Sequence, residues 1–202
     1  MPDIGIIILA AGQSQRMGKP KQLLNIGENS LIQHVVKIAE STSYTPIVVV
    51  LGSHFEWIKK EIKEFEVTPV LNENWEKGMG TSVSRGIIEM QKLNSNLKAV
   101  FILLVDQPLI SLNLLNNFEK LYLQTGKKII AAKYDKTFGV PALFDKTTFE
   151  ELKSLSGEKG AKKIIQKFIE KEEVVYVDFP KGQLDLDTKA DYDRFIKDFD
   201  GK

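Results

Sequence analysis

The sequence predicts a doubly wound α/β fold, a mostly parallel sheet with helices on both faces. Three observations predict it: apolar runs rich in Val and Ile recur along the chain, segments with apolar residues at helical spacing lie between them, and the two alternate. Continuous apolar runs mark strands buried on both faces, and strands alternating with helices build a parallel sheet through right-handed crossovers. Ligands of such sheets sit beyond the carboxyl ends of the strands.

The strands are expected at Ile4–Leu9, Ile47–Leu51, Val67–Leu71, Val100–Val105 and Ile129–Ala132. Helical spacing joins Leu31, Val35, Ile38 and Ala39, then Ile58 and Ile62, then Val83, Ile87 and Met90, and finally Leu115, Phe118 and Leu121. The last third is less regular. It predicts strands at Gly139–Phe144, Val174–Val177 and Gln183–Leu186, a helix from about Gly160 to Glu170, and a terminal helix.

The chain has 202 residues, enough for one well-buried core, and no repeat or Pro- or Ser-rich linker interrupts it. A single domain over 1–202 is expected. Lys and Arg total 28 against 27 for Asp and Glu, so there is no global positive field to hold a nucleic-acid backbone. Cys is missing from the composition, which excludes disulfides, thiolate metal sites and a cysteine nucleophile. Ile4–Ala11 is far shorter than a membrane span and has no basic segment before it. These features predict a cytoplasmic protein that engages neither membrane nor nucleic acid.

Directly after the first strand comes Leu9-Ala-Ala-Gly-Gln-Ser-Gln-Arg-Met-Gly-Lys-Pro-Lys21. Small side chains at Ala10, Ala11 and Gly12 let backbone N–H groups approach an anion, and cations can neutralise a triphosphate. Gly12, Gly18, Arg16, Lys19 and Lys21 are the candidates, with the backbone from Leu9 onward against the nucleotide. Arg16 is one of three arginines in a lysine-rich chain, which suits a planar fork on a phosphate. The loop matches neither G-x-G-x-x-G nor a Walker A sequence, so the dehydrogenase and ATPase readings lose their main support. The plainer alternative is a glycine-rich turn with solvated lysines.

Asp106 ends the fourth apolar run just before Gln107 and Pro108, where a doubly wound sheet places its site. A carboxylate there suits Mg²⁺, which takes one or two carboxylates together with phosphate oxygens. The competing reading is a turn residue accepting backbone hydrogen bonds. Asp185 and Asp187 alternate along the expected Gln183–Leu186 strand and so share a face, which suits a second metal ligand. Asp187 serves equally well as the cap of the terminal helix.

The segment Asn72–Gly86 carries Gly78, Gly80, Thr81 and Ser82 into a helix start. Such an N-terminus can contact a base, ribose or phosphate, or be a helix capped by Thr81 or Ser82. Trp75 reads as a packing residue or a lid, and not as a catalytic one. His34 and His54 sit in separate helical segments, in no arrangement suggesting a triad or a zinc site.

Taken together, the motifs Leu9-Ala-Ala-Gly-x-Ser-x-Arg-Met-Gly-x-x-Lys21, Asn74-Trp-x-x-Gly-Met-Gly-x-Ser82, Asp106-Gln-Pro, Gly139-x-Pro-x-x-Phe144, Gly157-x-x-Gly-Ala161 and Asp185-x-Asp-Thr span the chain from about Ile6 to Tyr192. In order and spacing they resemble the molybdenum cofactor cytidylyltransferase group of the MobA-like nucleotidyltransferases. Ala10-Ala-Gly12 and Asp106-Gln-Pro look like the cytidylyl branch rather than the guanylyl one.

The resemblance implies a Rossmann-like nucleotidyltransferase fold and transfer of CMP from CTP to molybdopterin, with release of pyrophosphate. It implies that Arg16 and Lys21 hold the triphosphate, and that Asp106 and one C-terminal aspartate hold Mg²⁺. A molybdenum hydroxylase or its maturation factor is the implied partner. Two alternatives stand beside it: the same chemistry on a sugar phosphate or methylerythritol phosphate, and a non-catalytic nucleotide- or pterin-binding carrier. A pure carrier has no need of a triphosphate and metal site, which weighs against the last.

Overall fold

The strand β1 (Ile4–Ala10) is apolar without interruption, and all seven of its residues are buried. It lies inside a seven-stranded sheet whose other members are β4 (Ile47–Leu51), β5 (Thr68–Leu71), β6 (Ala99–Leu104), β7 (Ile129–Tyr134), β8 (Thr137–Asp145) and β9 (Val174–Asp178). The spatial order is β5-β4-β1-β6-β8-β7-β9. This is a computed structural model, and it describes residues 3–13, 19–135, 137–184, 186 and 188–200.

Pairing is parallel from β5 through β4 and β1 to β6, and again between β7 and β9. β8 runs antiparallel to both neighbours, β6 and β7. The chain proceeds from β1 outward to β4 and β5, then returns to lay β6 on the other side of β1. That reversal is a topological switch point, and it opens a crevice at the carboxyl ends of β1 and β6.

Side chains alternate across the sheet, as strand geometry requires. Ile4, Ile6 and Ile8 join one core with Leu31 and Val35 of α1 (Leu31–Glu40) and Leu115 and Phe118 of α4 (Leu112–Thr125). Phe195 of α7 (Lys189–Asp200) closes the same side. Ile7 and Leu9 face the opposite core, with Val83, Ile87 and Met90 of α3 (Met79–Leu93), Leu152 of α5 (Phe149–Lys153), and Ile165 and Phe168 of α6 (Lys162–Ile169). The helix α2 (Phe55–Glu61) buries Ile58 beside α1.

Local signals set several boundaries. Ser30 caps α1 through a reciprocal box with Gln33, the S-x-x-Q pattern that satisfies two orphan donors. Ser111 caps α4, and Gly126 ends it in the left-handed conformation.

Two expectations are corrected. Of the expected strand Gln183–Leu186, the described residues Gln183, Leu184 and Leu186 lie in no strand: Pro180–Gln183 is a 3-10 turn, closed by Gly182 N–H to the Phe179 carbonyl at 2.8 Å and Leu184 N–H to the Lys181 carbonyl at 3.3 Å. The alternation at Leu184 and Leu186 reflects burial of Leu186, not sheet pairing. Thr81 and Ser82 do not cap α3, which starts two residues earlier, after Gly78. The small hairpin of β2 (Asn25–Ile26) and β3 (Asn29–Ser30) and the short α5 were not foreseen. Among the described residues no helix is long and apolar enough to cross a membrane.

Candidate active site

At the switch point a cleft of about 540 Å³ opens beside β1 and β6. Its floor is the run Leu9–Gly12 and the segment Leu104–Asp106. The register pairs Leu9 with Leu104, and Val105 N–H donates to the Leu9 carbonyl at 3.2 Å, so the two strand ends are level.

Gln22 braces the glycine-rich segment. It is fully buried, and its Nε2 donates to the carbonyls of Ala10 and Gly12, each at 2.9 Å. These bonds hold the start of the loop against the 3-10 turn Lys21–Leu23 and aim Lys21 at the floor.

There Lys21 Nζ meets Asp106 Oδ2 at 2.5 Å, with side chains 14% and 16% exposed. Asp106 Oδ1 is buried and has no hydrogen-bond partner. Leaving a carboxylate oxygen buried and unmatched is costly, and a cation is the partner its chemistry calls for. Asp106 therefore fits as one ligand of a divalent metal. It is not the turn cap of the alternative reading, because its Oδ2 accepts from Lys21 Nζ and its Oδ1 from no backbone N–H. Among the described residues no cluster of three or more His, Asp or Glu is placed to hold a metal on its own.

The opposite wall comes from the β5–α3 connection. Trp75 packs against Gly52, where an added Cβ would stand 2.5 Å from the indole Cγ, and it also lines the cleft with Glu76, Gly78, Met79 and Ser82. Packing and lining are thus one role for Trp75. Asn72 is buried and donates to Thr81 Oγ1 at 2.8 Å and Ser82 Oγ at 2.9 Å, which fixes the first turn of α3. Glu158, from the loop before α6, reaches the same cleft.

Leu9, Ala10, Ala11, Gly12, Lys21, Gly78, Ser82 and Asp106 line one cleft. Gly80 does not; its N–H donates to the Gly157 carbonyl at 2.9 Å, so it joins two loops. Arg16, Gly18, Asp185 and Asp187 lie outside the described residues. Lys19 is exposed. His34 donates from Nε2 to the Pro108 carbonyl at 2.8 Å, and His54 stacks on Trp57; neither lines the cleft. Gln22, Asn72 and Gln107 were missed. Each is an amide buried at 3% exposure or less, and each sits within or beside a quoted motif, which is the one signal that could have found them.

A parallel-sheet switch point with a glycine-rich loop, a cation and a carboxylate on its floor defines a nucleotide-handling α/β protein. The model of the MobA-like NTP transferase domain matches residues 6–174, and the chain belongs to that family of nucleotidyltransferases. The purine catabolism protein PucB of Bacillus subtilis is 28% identical over 93% of each chain. Among solved structures, a nucleotidyl transferase from Methanothermobacter thermautotroptrophicus superposes with a TM-score of 0.80 at 18% identity, over 98% of this chain and 97% of that one. Rv0371c of Mycobacterium tuberculosis in complex with manganese superposes with a TM-score of 0.72 at 22% identity, over 97% and 98%.

Proposed function

We propose that this nucleotidyltransferase transfers CMP from CTP to a molybdopterin-type acceptor in the cytoplasm, with Mg²⁺ as the metal and pyrophosphate as the second product. The observation that carries the chemistry is the Lys21–Asp106 pair on the cleft floor, with Asp106 Oδ1 buried and unmatched. The base and the acceptor rest on the resemblance carried by Ala10-Ala-Gly12 and Asp106-Gln-Pro108.

The reaction joins two phosphates directly. An oxygen of the acceptor phosphate attacks the α-phosphorus in line, the α–β bridging bond breaks, and pyrophosphate leaves with the electron pair. No protein nucleophile is required, so catalysis is positioning and charge stabilisation. The backbone from Leu9 to Gly12 and the side chain of Lys21 bind the triphosphate, with Arg16 assigned to the same task. Asp106, with Asp185 or Asp187, would hold Mg²⁺. Bound there, the metal would supply positive charge where negative charge builds on the departing pyrophosphate. The manganese complex of Rv0371c supports dependence on a divalent ion. Delivery of the product to a molybdenum hydroxylase or its maturation factor rests on the same resemblance.

The test is pyrophosphate release with Mg²⁺ and each of the four nucleoside triphosphates, with and without molybdopterin. Release that needs CTP and molybdopterin supports the proposal. Release with a sugar phosphate or methylerythritol phosphate instead keeps the chemistry and replaces the acceptor. Binding without release under every condition favours a carrier.

A further inference from the structure

We infer that Gln107 is a positioning residue that fastens the C-terminal segment to the turn presenting Asp106, and thereby sets the metal affinity of the site. This rests on the proposed role of Asp106 as a metal ligand.

Gln107 is 3% exposed. Its Nε2 donates to the Val140 carbonyl of β8 at 3.0 Å and to the Gly182 carbonyl of the 3-10 turn at 3.2 Å. Both partners are acceptors, so the amide has one satisfactory orientation, and Oε1 is left buried without a partner. A methionine would fill similar space without burying an unpaired oxygen. What the amide adds is its two donors, and they tie the Asp106 turn to two segments distant in sequence.

A second tie runs beside the first. Leu186 is fully buried, and its N–H donates to the Asp106 carbonyl at 3.4 Å. Leu186 is the residue between Asp185 and Asp187. The C-terminal segment is therefore held at Asp106 by a main-chain bond and at Gln107 by a side-chain clamp. The other groups around the clamp leave little slack. Tyr134 Oη also donates to the Val140 carbonyl, at 2.9 Å. A Cβ on Gly182 would stand 2.5 Å from the Phe179 ring and 2.9 Å from the Tyr134 ring.

Gln107 does not line the cleft; it acts through Asp106 and the segment docked beside it. Hydrogen bonds that orient metal ligands change metal affinity about 10- to 100-fold when lost.

The experiment compares wild type, Gln107→Met and Asp106→Asn by titration with Mn²⁺ alone, followed by electron paramagnetic resonance, and by hydrogen exchange of the Leu186 amide without metal. Gln107→Met is expected to weaken Mn²⁺ binding about tenfold and to speed exchange at Leu186, while amides in the centre of β1 keep their protection. A merely structural role would lower the melting temperature without singling out Leu186 or the metal. Unchanged Mn²⁺ affinity or unchanged Leu186 exchange in Gln107→Met, beside an Asp106→Asn protein that binds Mn²⁺ poorly, overturns the role of Gln107 alone. Equal Mn²⁺ affinity in wild type and Asp106→Asn overturns the metal reading of Asp106, and this inference with it. If Gln107→Met does not fold, Gln107→Asn keeps the amide on a shorter arm that cannot reach both carbonyls, and the same two readouts decide.

Discussion

Lys21 and Asp106, 85 residues apart in sequence, meet at 2.5 Å on the floor of the cleft. The pair neutralises a carboxylate that is mostly withdrawn from water, and it fills one of the two oxygens that a metal would use. On the proposed function, a metal–nucleotide complex would bring a cation for Asp106 and phosphates for Lys21. Both groups can exchange one partner for another of the same sign, so neither is left buried and uncompensated.

Replacing Asp106 with Asn keeps the shape and removes the charge. Pyrophosphate release is expected to fall about 10²- to 10³-fold, the scale of losing one electrostatic contact to a transition state. Steady-state rates at saturating nucleotide measure it. A loss of less than fivefold would remove Asp106 from the chemistry.

Lys21→Met is expected to act in opposite directions on two measurements. Turnover falls, because the triphosphate loses a cation. Binding of Mn²⁺ in the absence of nucleotide tightens by about 5- to 10-fold, roughly 1 kcal/mol, because Asp106 loses its competing counter-charge. Weaker metal binding in this variant would show that Lys21 does not compete for Asp106.

Gly78→Ala tests the junction between the two loops. Gly78 has φ +107, and a Cβ there would lie 2.4 Å from the Gly157 carbonyl carbon, with backbone rather than a flexible side chain in the way. Strain of about 1–3 kcal/mol is expected. It should appear as a lower melting temperature together with a raised nucleotide KM, since Gly78 also lines the cleft.

A contact on the opposite side of the sheet makes stability depend on pH. Tyr122 Oη donates to Asp145 Oδ2 at 2.6 Å. Burial alone would raise the Asp145 carboxyl, but hydrogen bonds from Thr147 and Tyr122 and the charge of Lys128 outweigh it and hold the group below its usual range. A carboxyl depressed on folding stabilises the protein above its unfolded value near 3.9, and that contribution is lost as pH falls through the folded value. Tyr122→Phe is therefore expected to cost about 1–2 kcal/mol at neutral pH. The difference from wild type should shrink as the pH is taken below about 4, as read by urea denaturation across pH. A difference that stays constant through the acid range would assign the cost to packing.

Much of the architecture is legible because burial on both faces leaves a local mark. Ile4–Leu9, Ile47–Leu51 and Val100–Val105 are unbroken apolar runs, and each lies in a strand of the central parallel sheet. The start of the glycine-rich segment and Asp106 are placed at the cleft for the same reason, since each follows such a run. Leu184 and Leu186 misled because alternation records which residues are buried and not what they are buried against. Glycines near a helix start suggest a phosphate site equally well whether the amide faces a cleft or, as at Gly80, a neighbouring carbonyl.

By itself, then, the sequence determined the central strands and the main helices, because hydrophobic periodicity and capping are read within a few residues of one another. Tertiary structure alone decided that β8 runs against its neighbours, that Lys21 faces Asp106, and that Gln22, Asn72 and Gln107 are braces. A hydrogen bond or ion pair between distant segments leaves no periodic trace in either one, and its partners are chosen only when packing brings them within about 3 Å.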